Sequence, residues 1–360
     1  MNWIGLRDPG IGVFSPGGLG RPSRGLATPD DILPTGTLML DVAVMPSLTE
    51  QSLMTYNARE PWPTGMSLAL DPHGILTLTQ AQGENVRRFS LATGVRGRVA
   101  VMTVTFTWDA PNRCAMLAAE VPDTGALRFT TDHAPLPMSM RDATRIMTDR
   151  HSCYLAPGVR FAALADAMAP IGPLPSLDGA TPLPTPQGDI AIARIRPGQI
   201  VQTADGGSAQ VRWAGGITLP ARARFAPLHL RAPFYGARRD IHCAPCQQIH
   251  FRSTEVEYLF ATDTVSARAG DLLDGIGPRA TGGALTASYW QVLLDRPAPV
   301  NIHGVACEML DAATLMADPA LRRLSVLRDV PSELLPRTCA RPIQRLQGFE
   351  TRSLCEMRVA

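Results

Sequence analysis

The chain has 360 residues and a formal net charge of +2, and all 34 of its basic residues are arginine. The absence of lysine excludes Schiff-base chemistry, a Walker A phosphate loop, a kinase-type lysine and a serine–lysine dyad. The near-neutral balance gives no electrostatic case for nucleic acid as a partner.

Apolar residues make up 45% of the chain and charged ones 18%, enough to bury a sizeable core. The length fits two or three domains. Gly (31) and Pro (32) are over-used, which favours many turns and short strands over long helices. The seven cysteines are Cys114, Cys153, Cys243, Cys246, Cys307, Cys339 and Cys355. A sparse, odd set is not a disulfide scaffold and fits a reducing compartment at synthesis. The opening MNWIGLRDPGIGVFSPGG has no basic stretch followed by an apolar one, so no signal peptide is expected. No long uncharged apolar run predicts a membrane span. The final compartment is left open.

Residues 1–36 read as an irregular lead-in. Short strands follow at Thr37–Met45, Met66–Leu70 and Ile75–Gln80, the last two joined by the turn DPHG. Val101–Trp108 alternates most clearly, with Met102, Val104, Phe106 and Trp108 on one side and Thr103, Thr105 and Thr107 on the other. CAMLAAEV, the turn Pro122–Gly125 and ALRFTT complete the series. This pattern predicts an antiparallel β-sandwich domain over 1–145. Ser139–Asp149 and Phe161–Met168 are read as short helices, and five prolines in Ile171–Gly188 as extended chain. Residues 146–175 are therefore expected to link two domains. Further on come a hairpin (Ile200–Thr203 and Ala209–Trp213) and a strand (Ala287–Asp295). A helix follows at Ala317–Leu327, with Asp318 as N-cap and Pro319 at its first position.

Ile241–His250, IHCAPCQQIH, carries a C-x2-C pair at Cys243 and Cys246, with His250 four residues on. Zinc would need four ligands, and the chain offers no second pair at diagnostic spacing. A redox pair would need a helix opening behind it, and Gln247-Gln248-Ile249 does not open one. The plain alternative is two thiols on a strand, one of them buried. His73, His133, His151, His229 and His303 have no partner at diagnostic spacing. No G-x-S-x-G is present. No cofactor is expected.

Gly179–Gly216 resembles the opening of a Hint domain, the hedgehog/intein fold, in its bacterial form. Thr181, Thr185, Pro186, Gly188, Ile195, Gly198, Thr203, Asp205, Gly206, Val211 and Trp213 match that pattern in order. Arg239–Thr262 is similar to the family's second block and Ser288–Leu310 to its third, so the resemblance spans about 171–313. It implies a Hint-like β domain at 176–315; the helix read at Ala317–Leu327 makes 316–360 a short helical tail.

It also implies self-processing. A Cys or Ser at the first position attacks the preceding carbonyl, and a Thr-x-x-His in the second block assists. The first position falls on Ser176, preceded by Pro175. The Thr position falls on Ala244, the His position on Gln247, a later His on Pro297, and Gly-Asp has become Gly198-Gln199. The Thr/His pair is thus missing. His242 or His250 could stand in only by reaching Ser176 from other positions. The N-terminal alternation resembles laminin-G or concanavalin-like jelly rolls, which implies architecture only.

Three readings stand. The first is a degenerate Hint protein that is a binding or structural module and not an enzyme, with an unknown partner for its β-sandwich. The second is slow self-cleavage with Ser176 as nucleophile. The third is a thiol or metal site at Cys243, Cys246 and His250. The resemblance also implies a surface-associated protein, or one exported without a cleaved signal.

Overall fold

In the computed structural model, residues 1–20, 28–272, 279–280, 283–336 and 343–359 are described; Cys339 lies outside them. The alternating stretch forms the strand Ala100–Asp109. Met102, Val104, Phe106 and Trp108 are each no more than 1% exposed and belong to one core. Burial of such side chains stabilises by roughly 1.5–3 kcal/mol each. The opposite face departs from a half-exposed strand, because Thr103, Thr105 and Thr107 are buried too. The neighbour Thr35–Val44 pairs with it throughout. Its Gly36 leaves room for the Trp108 indole, since a Cβ there would sit 2.4 Å from the ring.

These strands are central in a seven-stranded antiparallel sheet. Its order is Ala126–Asp132, Cys114–Val121, Ala100–Asp109, Thr35–Val44, Val159–Ala165, Trp3–Arg7, Gly12–Phe14. A five-stranded sheet supplies the other half of the core. It runs Cys153–Leu155, Gln51–Ala58, Thr64–Leu70, Ile75–Gln82, Asn85–Ala92. The helix Met140–Thr148 adds Ala143, Ile146 and Met147 to this core, with Ser139 as its N-cap.

The chain divides into two units, Met1–Ala169 and Pro170–Ala360. Two expectations change with that boundary. Phe161–Met168 is no helix, because Val159–Ala165 lies as a strand between Thr35–Val44 and Trp3–Arg7. Its bulk of small and apolar side chains is buried, which suits a central strand better than a surface helix. Residues 146–169 accordingly belong to the first unit and do not stand between two.

The proline-rich stretch is likewise no spacer. Leu177–Asp178 joins a sheet of the second unit, and Pro182–Thr185 forms a two-stranded ribbon with Gly188–Ala191. A narrow ribbon tolerates Pro182 and Pro184, which donate no ladder bond. One sheet of this unit runs Ile200–Gln202, Ser208–Pro220, Thr286–Leu294, Leu177–Asp178, Ile241–Cys243, Leu228–Leu230, Arg279–Ala280. A second runs Val300–Ile302, Val305–Cys307, Gln248–Phe251, Val265–Arg268, Gln344–Arg345. They share a core of their own. The helical tail contributes to it through Leu354, and Leu346 packs there as well. The expected helix at 317–327 is shorter, Pro319–Arg323, but its Asp318 cap accepts from the amides of Ala320 and Leu321. Among the described residues no helix is long and apolar enough to cross a membrane.

Candidate functional site

Leu177 pairs on one side with Cys243 and on the other with Trp290. That double pairing sets the residue before it, Ser176, beside Ala244 and Gln291. The Ala244 amide donates to the Ser176 carbonyl at 2.7 Å. The chain then turns through Pro245 and Cys246, closed by Gln247 N–H donating to Ala244 O at 3.0 Å. This turn returns Gln247 over the serine, and the Ser176 hydroxyl donates to Gln247 Oε1 at 2.7 Å. The residues named for the first position and the second block are therefore brought together.

The cluster is almost dry. Ser176 is 5% exposed, Gln247 and Gln291 2% each, and Ala244 is fully buried. Burial demands that each polar atom find a partner. Gln247 Nε2 donates to the carbonyls of Gln248 (2.7 Å) and Glu308 (2.9 Å). Gln291 Nε2 lies 3.2 Å from Gln247 Oε1, 3.3 Å from Glu308 O and 3.4 Å from Ser176 Oγ. Gln291 Oε1 accepts from the Val292 amide. Gln291 and the Glu308 backbone lie outside the sequence expectation. The available signal is an amide side chain inside the run YWQVLL, the second half of the strand Thr286–Leu294.

Neither histidine reaches the serine. His250 is bound to Glu308, Nε2 to Oε2 at 3.1 Å, and Arg345 closes on the other carboxylate oxygen at 3.5 Å. His242 stacks on His229 with ring centroids 4.4 Å apart. It also lines an open pocket with Asp178, Asp240 and His303. Pro297 sits exposed after Arg296, whose guanidinium is taken up by Asp205 and Thr203. Gln199, in place of the expected Asp, accepts from the Arg196 amide within its own turn.

The thiol or metal reading is not supported by the geometry. Among the described residues no three His, Cys, Asp or Glu side chains gather so as to hold a metal ion. Cys243 is buried on its strand, and burial pushes its thiol well above the ordinary range. Cys307 nearby is pushed up to about 12 for the same reason. Cys246 lies in the turn, and His250 is held by Glu308.

Residues 175–313 match a family model described as Hint domain. No curated protein matches the chain. Among solved structures, the MchDnaB-1 intein is 17% identical, with a TM-score of 0.26 over 37% of this chain and 98% of the intein. The Ruminococcus gnavus IT-sialidase CBM40 is 20% identical, with a TM-score of 0.25 over 37% of this chain. The chain spans 64% of the length of that module's structure. A basic winged bean lectin in complex with Tn-antigen is 7% identical, with a TM-score of 0.21 over 38% of this chain and 61% of the lectin.

Proposed function

Because residues 175–313 make this a Hint domain-containing protein, we propose that its self-processing chemistry has been lost and that the chain is a binding or structural module. One observation carries the reading: the Ser176 hydroxyl donates to the side-chain amide oxygen of Gln247. An acyl shift requires the serine proton to leave as oxygen attacks the Pro175 carbonyl, and the departing amine requires a proton in return. A carboxamide neither takes up nor supplies a proton near neutral pH. Ala244 has no hydroxyl to polarise the peptide, and both His242 and His250 are engaged elsewhere. The loss of a general acid or base typically costs 10²–10⁴-fold, on the order of 3–5 kcal/mol in the barrier.

A second reading, slow cleavage with Ser176 as nucleophile, is favoured by one feature: the serine retains its hydroxyl at the junction of the two blocks. Intact-mass spectrometry of freshly purified protein, with and without hydroxylamine, separates the two. The expected result is one species at the full-chain mass under both conditions. Fragments 1–175 and 176–360, increased by hydroxylamine, would overturn the loss of chemistry in favour of slow cleavage.

A further inference from the structure

Three stretches of the second unit, 178–182, 240–242 and 302–303, line an open pocket with a volume of about 180 Å³. Its polar lining is Asp178, Thr181, Asp240, His242 and His303, and it includes none of Ser176, Gln247 or Gln291. Each stretch is fixed by backbone hydrogen bonds. Asp178 Oδ1 accepts from Ala180 N–H at 2.8 Å, and Asp178 O accepts from Thr181 N–H at 3.0 Å. Asp240 Oδ1 accepts from Ala232 N–H at 2.8 Å. His303 O accepts from Arg238 N–H at 2.6 Å, and Gly304 N–H donates to Asn301 Oδ1 at 2.8 Å. Walls formed in advance lower the ordering cost of binding. A cavity of about 150 Å³ holds benzene, so this volume suits a molecule of roughly six to eight non-hydrogen atoms.

The polar groups of this lining are unevenly used. Thr181 is 6% exposed. Its amide is taken by Asp178 and its carbonyl accepts from Ile192 N–H at 2.8 Å, but its hydroxyl has no partner among the described residues. A nearly buried hydroxyl is costly unless something in the pocket completes it. The second carboxylate oxygen of Asp178 has no partner there either. The Ala232 amide first, then His229 and Arg231, hold the Asp240 carboxyl below the usual carboxylate range. Ile241 and Ile302, 2% and 1% exposed, supply an apolar wall. Two carboxylates and no arginine line the pocket, so its charge selects a cation over an anion. A bare metal ion does not suit it, because among the described residues no three such side chains gather around one point. Separated acceptors beside an apolar wall suit a cation with a carbon body. An ammonium or guanidinium donates to carboxylate and hydroxyl at once, while its methylenes cover the isoleucines.

We propose that this pocket binds a small organic cation, an ammonium or guanidinium on a short aliphatic chain, held by Asp178 and Thr181 against Ile241 and Ile302. The proposal deepens the reading of the chain as a binding module and rests on that half of it. The loss of self-processing is tested at Ser176, which does not line the pocket, so the two failures are distinguishable.

The test is histidine-ring NMR on the full-length chain, whose seven histidines give few signals; His242→Gln and His303→Gln identify theirs. n-Butylammonium and n-butylguanidinium are titrated at fixed pH and ionic strength, beside n-butanol and butyrate. At least one of the cations is expected to shift the His242 and His303 signals saturably, with a Kd on the order of 1 mM. The alcohol and the carboxylate are expected to leave them in place. Asp178→Asn keeps the oxygen that caps the Ala180 amide and removes the charge. It should weaken binding about tenfold or more, with the unfolding temperature unchanged. No saturable shift with either cation, equal binding of the alcohol or the carboxylate, or unchanged affinity in Asp178→Asn would each overturn the proposal. Should Asp178→Asn lower the unfolding temperature, Thr181→Val, expected to weaken binding as well, replaces it, and unchanged affinity there would overturn it.

Discussion

An amide oxygen accepts a hydrogen bond from a serine much as an imidazole nitrogen does, but it does not take the proton. That difference separates what Ser176 can do from where it sits. Gln247→His would put a titratable ring where the serine hydroxyl already points. With Ala244→Thr beside it, hydroxylamine-dependent cleavage at Pro175–Ser176 is expected to rise by about 10²–10⁴-fold over the parent chain. Mass spectrometry reads it directly, and an uncleaved double variant that still folds would show that more than the Thr/His pair is missing. Gln291 is a second donor, beside Gln247, to the Glu308 carbonyl. Gln291→Leu strips a donor from the Ser176 hydroxyl, the Gln247 amide oxygen and the Glu308 carbonyl, at an expected cost of about 1–3 kcal/mol in urea unfolding. An unchanged midpoint would mean that the cluster contributes nothing to the fold.

Turns and ribbons set the geometry that single residues use. Between Ile200–Gln202 and Ser208–Pro220, Asp205 accepts from the Arg296 guanidinium, from Thr203 and from the Gly207 amide. Arg296 first, and then these hydrogen bonds, hold the Asp205 carboxyl well below the usual carboxylate range. A carboxylate depressed in the folded state contributes stability above its unfolded pKa, and that contribution is lost as pH falls through the folded value. Asp205→Asn is therefore expected to be less stable than the parent above about pH 5, with the gap narrowing steadily below about pH 4. The Asp205 side chain is 52% exposed, so solvent screening keeps the difference small. Parallel unfolding curves across pH measure it, and a gap that widens in acid would refute the assignment.

For the whole molecule, each unit closes its own core with chain that is distant in sequence. The second unit takes in the last segment of the chain: Gln344–Arg345 pairs in parallel with Val265–Arg268, and Leu346 and Leu354 join the core. Ending the chain after Ile343 removes two buried leucines, an expected loss of roughly 3–6 kcal/mol. Calorimetry should show the transition of residues 170–360 lowered or abolished and that of residues 1–169 kept. An unaltered second transition would make the tail dispensable.

How much of this is legible in the sequence depends on whether the signal is local. Alternation marks Val101–Trp108 as a strand, because period-two burial is written into consecutive residues. Asp318-Pro319 marks a helix start, because capping acts over three residues. Family resemblance names Ser176, Ala244 and Gln247 as partners across a separation that composition alone cannot bridge. Phe161–Met168 reads wrongly as a helix because small apolar residues suit a central strand as well, and only pairing with Thr35–Val44 and Trp3–Arg7 decides between them. The prolines of 171–188 read as a spacer because a proline's lost donor matters only once its strand neighbours are known. By itself, then, the sequence determined the two β units, the helical tail and the absence of any lysine chemistry. Tertiary structure alone decided that Gln291 and Glu308 complete the Ser176 cluster and that the two histidines are turned to other partners. The reason is physical: a buried hydrogen bond is chosen by which groups arrive within about 3 Å of each other, and that depends on strand register between segments far apart in the chain.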